Sequence, residues 1–394
     1  MRFEKDWGRL GLKFEELSQV SSYVSERIRI DEVNLDNYVS TENMISERGG
    51  VTKATKLPSG KTISVFQKGD ILISNIRPYF KKIWLADKSG GCSNDVLVVR
   101  ANEKISNRFL YYVLSSDNFF DYAVGTSKGT KMPRGDKKAI MKYKVPIYSL
   151  VEQEKIAEIL RAFDKKVILN KQINHHLEQM VQAIFKSWFV DFEPFGGVKP
   201  SDWETANLTD IAEYLNGLAM QKYRPVDDEE SLPVLKIKEL RQGTFDSSSD
   251  LCSENIKSQY IIQDGDVIFS WSGSLLVDFW TGGTGGLNQH LFKVSSQKYD
   301  KWFYYSWTKY YLEEFIAIAA DKATTMGHIT RRSLEKAKIL IPNDHDYKSI
   351  GLLLAPIYRQ IISNRIESRK LTEMRDTLLP KLLSGEISVS QATK

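Results

Sequence analysis

The two halves of the chain carry the same series of short motifs in the same order, with matched positions 194–196 residues apart. A KGDILI segment at residues 68–73 returns as DGDVIF at residues 264–269, and KVP at 144–146 returns as LIP at 340–342. The other matches are Trp7 with Trp203, 93–95 with 288–290, 129–132 with 323–326, Asn170 with Asn364 and Leu177 with Leu371. This duplication predicts two similar domains, in keeping with 394 residues, since single domains cluster near 100–150.

Each half begins with a mixed segment in which strands and helices are both predicted. Runs of β-branched residues at 71–76 and 96–100 indicate strands, because Gly, Asp and Ser bound them. Apolar residues at helical spacing indicate amphipathic helices at about 107–121 and 299–320. The expected class is therefore α+β, with a similar globular domain in each half.

Each half closes with a long helix, predicted at about residues 151–188 and 347–383. The core positions of both follow the alternating four- and three-residue steps of a heptad repeat. They are Ile156, Leu160, Phe163, Val167, Asn170, Asn174, Leu177, Val181, Ile184 and Trp188, then Ile350, Leu354, Ile357, Ile361, Asn364, Ser368, Leu371, Arg375, Leu378 and Leu382. Pro356 predicts a kink or a late start in the second helix.

The two heptad helices are expected to pack on each other as an antiparallel coiled coil, because an internal repeat implies an approximate two-fold relation. Asn170 and Asn364 would then face each other and set the helix register. The alternative is that both amides reach solvent at a loose seam. Each helix would be about 57 Å long, which sets an upper limit on the separation of the two globular domains.

Composition narrows the class of protein. Two cysteines, Cys92 and Cys252, exclude a disulfide framework and a cysteine-based zinc cluster, and both are expected to be small buried residues. The start has no secretory signal and no apolar run approaches a membrane span, so a cytoplasmic location is expected. No convincing nucleotide, metal, nuclease or methyltransferase motif is present.

Charge is uneven along the chain. Residues 1–197 carry 31 basic and 24 acidic residues, a balance of +7, whereas residues 198–394 carry 24 and 26, a balance of −2. Residues 128–144 hold seven basic residues and one acid, Asp136. This local excess favours an anionic partner more than the whole-chain charge does.

Matched loops of the two halves carry side chains suited to DNA, either as phosphate contacts or as hydrogen-bonding partners of base edges. In the first half these are Asn75, Arg77, Tyr79, Lys81, Lys82, Asn94, Asp95, Lys128, Lys131, Arg134 and Lys137. In the second half they are Trp271, Ser272, Asn288, Gln289, His290, Thr324, Thr325, His328, Arg331 and Arg332. The alternatives are a solvated surface for the cations and loop capping for the Asn and Gln side chains. Because the loops differ between the copies, two related domains would read two different short sequences.

Several segments together carry a family resemblance. They are GTKMPRGD at 129–136, VP at 145–146, EQEKIAEIL at 152–160, WFVDFE at 188–193, ATTMGHI at 323–329 and RDTLLPKLLSGEI at 375–387. With them the chain resembles the specificity subunits of type I restriction-modification systems over essentially its whole length. The first helix begins with Glu-Gln residues that are replaced by NDHDY at 343–347 in the second copy, so the two helices are not expected to present identical surfaces.

The resemblance implies two target recognition domains at residues 1–148 and 203–343. Together with the heptad helices and the Pro- and Gly-rich segment between the halves, this gives a spacer helix at 149–190, a linker at 191–202, and a second spacer helix with a tail at 344–394. Such a subunit reads a bipartite, asymmetric double-stranded DNA sequence and is not itself an enzyme.

The implied partners are two adenine methyltransferase subunits that use S-adenosylmethionine, and restriction subunits that use ATP to translocate and cleave DNA. No cofactor would be bound by this chain. The expected methyltransferase contacts are Trp188, Phe189, Phe192, Leu379 and Leu383, with core packing as the alternative for the aromatic rings. The rival functions are a coiled-coil scaffold without DNA specificity and a DNA-modifying enzyme with an unrecognised site.

Overall fold

The computed structural model describes residues 12–226, 229–321 and 327–392. The chain divides into two compact units. The first unit contains the described residues up to Lys165 and those from Thr372 onward, and the second contains Lys166–Leu371. Both long helices therefore contribute to both units. The predicted boundaries divide the chain into consecutive domains, helices and a linker, whereas these units are defined by contacts in space. The two divisions cannot be compared directly, and the predicted boundaries stay predictions.

The first unit is built on a four-stranded antiparallel sheet. Its strands, in spatial order, are Ser21–Tyr23, Val96–Ala101, Ile71–Ser74 and Ile83–Leu85. A smaller sheet has the order Arg27–Arg29, Thr62–Phe66, Gly90–Cys92 and Tyr38–Val39. A two-stranded pair, Lys13–Glu16 with Lys144–Ile147, precedes the first long helix. The central strand Ile71–Ser74 is buried along its whole length, which explains its continuous apolar run.

The second unit repeats this plan, so the predicted duplication and α+β class are confirmed. Its main sheet has the order Glu213–Asn216, Leu291–Ser295, Val267–Ser270 and Leu276–Phe279. Its smaller sheet has the order Leu251–Ser253, Ser231–Leu235, Gly285–Leu287 and Ile261–Ile262, and the two-stranded pair is Glu204–Asn207 with Lys338–Ile341. The smaller sheets share three strands but differ in the fourth. In the first unit the fourth strand is Arg27–Arg29, which pairs with Thr62–Phe66. In the second unit it is Leu251–Ser253, which pairs with Ser231–Leu235 at the opposite edge of the sheet.

Each helix predicted on the globular domains is two helices in the structure. Residues 107–121 contain Asn107–Ser115 and the start of Asp117–Gly125, because the Ser116 hydroxyl caps a new helix by accepting from the Phe119 amide at 3.3 Å. Residues 299–320 likewise divide into Lys301–Tyr310 and Leu312–Asp321. The shorter α-helices are Leu17–Val20, Lys137–Ile140, Leu208–Ile211, Ile237–Gln242, Arg331–Lys336 and Val389–Ala392. The 3₁₀ turns are Ile30–Glu32, Pro78–Phe80, Glu193–Phe195, Met220–Lys222 and Ser258–Tyr260.

The two long helices are Leu150–Phe189, with 40 residues, and Asp344–Ser384, with 41. The second begins before the predicted residue 347 and continues across Pro356, so the predicted late start is wrong. Pro356 and the carbonyl-bearing residue one turn earlier, Leu352, are both exposed, and water can therefore satisfy the carbonyl that the proline leaves without a donor. No described helix is both long enough and apolar enough to cross a membrane.

The helices pair in antiparallel fashion, and buried amides hold the seam of the second unit. The side-chain amide of Asn170 donates to the backbone carbonyl of Asn364 at 3.3 Å, and the side-chain amide of Asn174 donates to the backbone carbonyl of Ile361 at 3.1 Å. The Asn364 amide donates to Asn174 Oδ1 at 2.8 Å. All three side chains are buried, so the loose-seam alternative does not hold. The predicted facing pair is present, but Asn174 rather than Asn170 bonds the Asn364 side chain, because of a small stagger between the helices.

In the first unit the same seam contains a half-buried ion pair. The Arg375 guanidinium, at a heptad core position, donates to Asp164 at 2.5 Å. The second oxygen of Asp164 accepts from the Tyr112 hydroxyl at 2.7 Å. These bonds tie a globular-domain helix to both long helices. At the repeat-related positions of the second unit, Ser306 and Tyr358 lie 2.9 Å apart, so the contact is kept while its chemistry differs.

The seam amides predict a measurable pairing energy. Replacing Asn364 with Leu leaves Asn174 Oδ1 buried without a donor, and we expect the free energy of unfolding to fall by about 1–3 kcal/mol. The measurement is urea denaturation followed by tryptophan fluorescence, since six of the eight Trp residues lie in the second unit.

The double variant Asn174→Leu/Asn364→Leu removes both partners and is expected to recover most of this loss. Gln179→Leu, on the exposed side of the same helix pair, is the matched control and should change stability by less than about 0.5 kcal/mol. Simple addition of the two single losses in the double variant would contradict the pairing.

Candidate nucleic-acid interface

The predicted DNA-binding loops of the first unit lie together where the central strand Ile71–Ser74 ends. The backbone amide of Asn75 donates to the backbone carbonyl of Asp95 at 2.8 Å, and the backbone amide of Arg77 donates to the carbonyl of Pro133 at 2.8 Å. The Gly135 amide donates to the Asn75 carbonyl at 3.1 Å. These bonds join residues 75–82, 93–95 and 127–136 into one surface, called here the first loop cluster.

Ion pairs and caps organise the polar side chains of this cluster. Arg134 pairs with Asp95 at 3.1 Å, and both remain substantially exposed. The Lys128 ammonium and the backbone amides of Ala139 and Lys138 donate to the Asp136 carboxylate and lower its pKa to about 2. Asp136 thus fixes the loop as a helix N-cap.

Two buried polar atoms of the cluster have no hydrogen-bond partner in the part of the chain that the structure describes. They are Asn75 Oδ1 and Arg77 Nε. A buried polar atom without a partner costs free energy, which a ligand or water that supplies the partner recovers. Among the predicted DNA-binding residues of the first half, these two have a buried polar atom without a partner in the described part of the chain.

The other predicted cations of the first cluster differ in accessibility. Lys131 and Lys137 are exposed. Lys81 donates to Asp117 at 2.6 Å, and Lys82 donates to the Thr41 carbonyl at 2.7 Å. Burial lowers the pKa of Lys82. Asn94 accepts from Arg27 at 3.3 Å, a partner outside the matched motifs that the sequence pattern did not reveal.

The second unit brings its predicted loops together in the same way. The Gly273 amide donates to the Gly327 carbonyl at 2.9 Å, and the Ile329 amide donates to the Trp271 carbonyl at 3.0 Å. Ser272 Oγ lies 3.1 Å from His290 Nδ1. Residues 271–273, 288–290 and 327–332 form what is called here the second loop cluster.

The amides of the second cluster are mainly used to hold the loop. Asn288 is buried, and its Oδ1 accepts from the His290 amide at 3.2 Å, so loop capping describes its side chain. Gln289 Nε2 lies 3.4 Å from His290 Nε2 on the half-buried part of the surface. Trp271 donates from Nε1 to Asn216 at 3.0 Å, and Asn216 is a further member that the repeat pattern missed.

The remaining predicted residues of this half lie at the start of the helix Arg331–Lys336. Arg331 is exposed and 3.8 Å from Glu335, and Arg332 is exposed. His328 is exposed, and its backbone forms an antiparallel β-bridge with that of Ser272. Thr324 and Thr325 lie outside the described residues.

The two clusters share one backbone arrangement and differ in chemistry. In the first unit, Ile76 and Arg134 form an isolated antiparallel β-bridge. It corresponds, within the repeat, to the β-bridge between Ser272 and His328 in the second unit. The first cluster exposes Arg and Lys, whereas around the equivalent β-bridge the second has a half-buried Trp271, a buried Ser272 and an exposed His328. Each cluster can donate and accept hydrogen bonds in its own pattern, which suits two different sequences of base edges.

The predicted methyltransferase contacts fall into two groups. Phe189, Leu379 and Leu383 are buried in the cores of their own units. Trp188 and Phe192 are half-buried in the second unit, where they pack with Phe195 and Trp203. The buried members can shape a surface but have little area left to contribute to a partner.

Other apolar side chains on the long helices are exposed, and the heptad analysis passed over them because they lie off the seam. On the first helix these are Leu150 and Val151 at its start, and Ile168, Leu169, Ile173 and Met180 farther along. Leu169, Ile173 and Met180 follow a spacing of four and seven residues, which places them on one side of a helix. Off-seam apolar positions are the signal that could have identified them.

Comparison with known proteins agrees with this architecture. The sequence model of the family described as type I restriction modification DNA specificity domain matches residues 30–179 and 200–372. The type I restriction enzyme MjaIX specificity subunit of Methanocaldococcus jannaschii is 26% identical over 378 residues, covering 91% of this chain and 86% of that protein. The HindI specificity subunit of Haemophilus influenzae is 22% identical, covering 94% of this chain and 98% of that protein.

A solved structure has the same fold. The S subunit of a type I restriction-modification system from M. genitalium superposes with a TM-score of 0.58 at 14% sequence identity. The match covers 94% of this chain and 96% of that one.

Proposed function

The chain belongs to the family of type I restriction-modification DNA specificity domains, and from this premise we propose that it reads a bipartite, asymmetric DNA target with one loop cluster for each half. The observation that carries the proposal is the pair of loop clusters, which share a backbone arrangement but carry different side chains. A duplicated scaffold with divergent polar loops is what two independent half-site readers require.

The proposed roles of the cluster residues follow from their exposure and bonding. In the first cluster, Lys131, Arg134 and Lys137 would contact phosphates, because they are exposed cations on one surface. Asn75 and Arg77 would complete their hydrogen bonding through bound DNA or ordered water. In the second cluster, Gln289 and His290 are the proposed base-edge contacts, with Arg331 and Arg332 toward the backbone.

The proposed division of labour places the chemistry in partner subunits. Two methyltransferase subunits would bind S-adenosylmethionine and methylate adenine, and restriction subunits would use ATP for translocation and cleavage. This chain would supply recognition and attachment without binding either cofactor. Exposed apolar side chains on the long helices support the attachment role, since such positions are typical of helix–helix interfaces.

The two-reader model is tested by exchanging one domain. Residues 1–148 are replaced by the matching segment of a relative, and the chain is expressed with its partner subunits. The methylated sequence is then read from cellular DNA. We expect one half of the target to change while the other half is kept. A change in both halves would contradict the model, and an absence of any sequence-specific methylation would favour the scaffold alternative.

The cation assignment predicts a change in salt dependence. Replacing Lys131 and Arg134 with Ala removes two proposed phosphate contacts. The negative slope of log K against log salt should therefore become less steep, by about 0.9 per contact. The measurement is a titration of the complex with its duplex target at several salt concentrations. Lys68→Ala is the control, because Lys68 is an exposed cation before the strand Ile71–Ser74, at the end opposite the loop cluster. An unchanged slope in the double variant would remove these residues from the interface.

The attachment surface predicts a separable defect. Ile173→Glu with Met180→Glu places two charges on exposed apolar positions, which should weaken co-purification of the methyltransferase at least about ten-fold, because one desolvated carboxylate costs more than 1.4 kcal/mol. Thermal stability should be kept, since both side chains are exposed. The matched control is Gln172→Glu with Gln179→Glu on neighbouring exposed positions. If the methyltransferase still co-purified fully with the Ile173→Glu/Met180→Glu variant, the interface would lie elsewhere on the chain.

A further inference from the structure

The turn that follows Arg77 presents two adjacent aromatic rings to solvent. Tyr79 is 46% exposed and Phe80 is 37% exposed, and their ring centres lie 4.7 Å apart. Pro78 is buried and starts the 3₁₀ turn Pro78–Phe80. Exposed rings are costly in water, so an adjacent pair at one tip indicates a surface that is covered in a complex.

The backbone on both sides of these rings is strained. Arg77 and Lys81 adopt left-handed conformations, with φ of 50° and 49°. The facing turn contains two more, Glu47 and Arg48, with φ of 52° and 61°. Four of the five non-glycine residues with positive φ in the described chain therefore lie at this one place. Such conformations persist only where the surroundings hold them, and they are concentrated at functional sites.

A set of hydrogen bonds and ion pairs holds the tip rigid. The Glu47 amide donates to the Phe80 carbonyl at 2.9 Å, and the Arg48 amide donates to the Lys81 carbonyl at 3.0 Å. The nearly buried Arg48 side chain pairs with Asp117, which also pairs with Lys81 at 2.6 Å. The tip is thus pre-organised, and ordering it on binding would cost little entropy.

The tip, the turn Pro78–Phe80, lies within the first loop cluster and has a mainly cationic setting. The Arg77 amide bonds to Pro133, next to Arg134. Lys82 lies 5.8 Å from the centre of the Phe80 ring. Of the nearby carboxylates, Asp117 is paired with two cations, and Glu47 lies on the facing turn. Rings surrounded by cations complement a partner with phosphates outside and flat apolar surfaces within.

From these observations we propose that Tyr79 and Phe80 form a wedge that inserts between adjacent base pairs in the half-site read by the first loop cluster. Apolar side chains inserted at a base step unstack it and kink the duplex, and the cost depends on the sequence of that step. The wedge would therefore add specificity at a step that makes no hydrogen bonds with the protein. This inference rests on the proposed function, since it requires DNA at the first cluster.

The second loop cluster has no equivalent wedge at the matched place. Its counterpart segment at residues 271–274 contains one ring, Trp271, which is half-buried and held by Asn216 and by packing on Phe292. The proposal therefore predicts unstacking in one half of the target only.

The test uses the assembled complex and a duplex target carrying 2-aminopurine, whose fluorescence rises when it is unstacked. The probe is moved step by step through both half-sites, leaving the methylated adenine unmodified. With the natural chain we expect a fluorescence rise at one step of the first half-site. With Tyr79→Ala/Phe80→Ala the rise should disappear and binding should weaken by about ten-fold, while the salt slope is unchanged because no phosphate contact is lost.

Two further variants separate the wedge from a general effect on folding. Tyr79→Phe/Phe80→Tyr keeps both rings and should keep the fluorescence rise. Tyr223→Ala removes an exposed ring from the second unit and should change neither signal.

Three outcomes would overturn the wedge. They are an undiminished rise in the double Ala variant, no rise at any step of the first half-site with the natural chain, and loss of the methyltransferase subunit from the double Ala complex with unstacking intact. The last would make the tip a protein anchor. If the natural complex showed no sequence-specific binding at all, the proposed function itself would fail, and the wedge with it.

Discussion

Antiparallel pairing of the two long helices is the constraint on which the rest of the structure depends. The core of the first unit contains Leu160 from the first helix and Leu382 from the second, together with residues of the sheet. The core of the second unit likewise contains Val181 and Leu354. Neither globular core is complete without segments that are distant in sequence, so an error in helix register would disturb both cores. Buried amides at Asn170, Asn174 and Asn364 specify that register, because each would lose its hydrogen bonds in a shifted alignment.

Duplication of one scaffold explains how the loops can vary without loss of the fold. The paired strands, the isolated bridge that closes each loop cluster and the contact between globular-domain helix and long helix recur in both units. The side chains at these contacts differ, as Tyr112 with Asp164 and Ser306 with Tyr358 illustrate. Backbone hydrogen bonds carry the geometry of the loops, so the exposed side chains are free to change with the sequence that is read.

The two clusters also differ in how they could use DNA. The first combines exposed cations with a rigid aromatic tip, and its strained backbone is stabilised by ion pairs that involve residues far from the predicted motifs, such as Arg48 and Asp117. The second is less charged and holds a Trp, a Ser and a His within hydrogen-bonding or packing distance of one another. This asymmetry is the basis for our proposal that the first cluster reads DNA shape while the second contacts base edges.

The sequence by itself determined the duplication, the α+β class, the two heptad helices and the matched loops. Each of these is written as a periodicity or as an ordered repeat of local motifs, and local pattern is what sequence reasoning can detect. The division of the first domain helix at Ser116 is a local N-cap that the apolar periodicity did not reveal. The continuity of the second long helix through Pro356 depended on that side of the helix facing solvent, and the pairing of Asn174 with Asn364 depended on the packing of the two helices. The same holds for the candidate sites. The repeat identified the loops, but only the folded chain decided that Asn288 is a buried loop cap, that Phe189 and Leu383 belong to the core, and that Tyr79 and Phe80 stand exposed on a strained turn. Burial and backbone strain arise from contacts between residues far apart in the chain, and no local pattern records them.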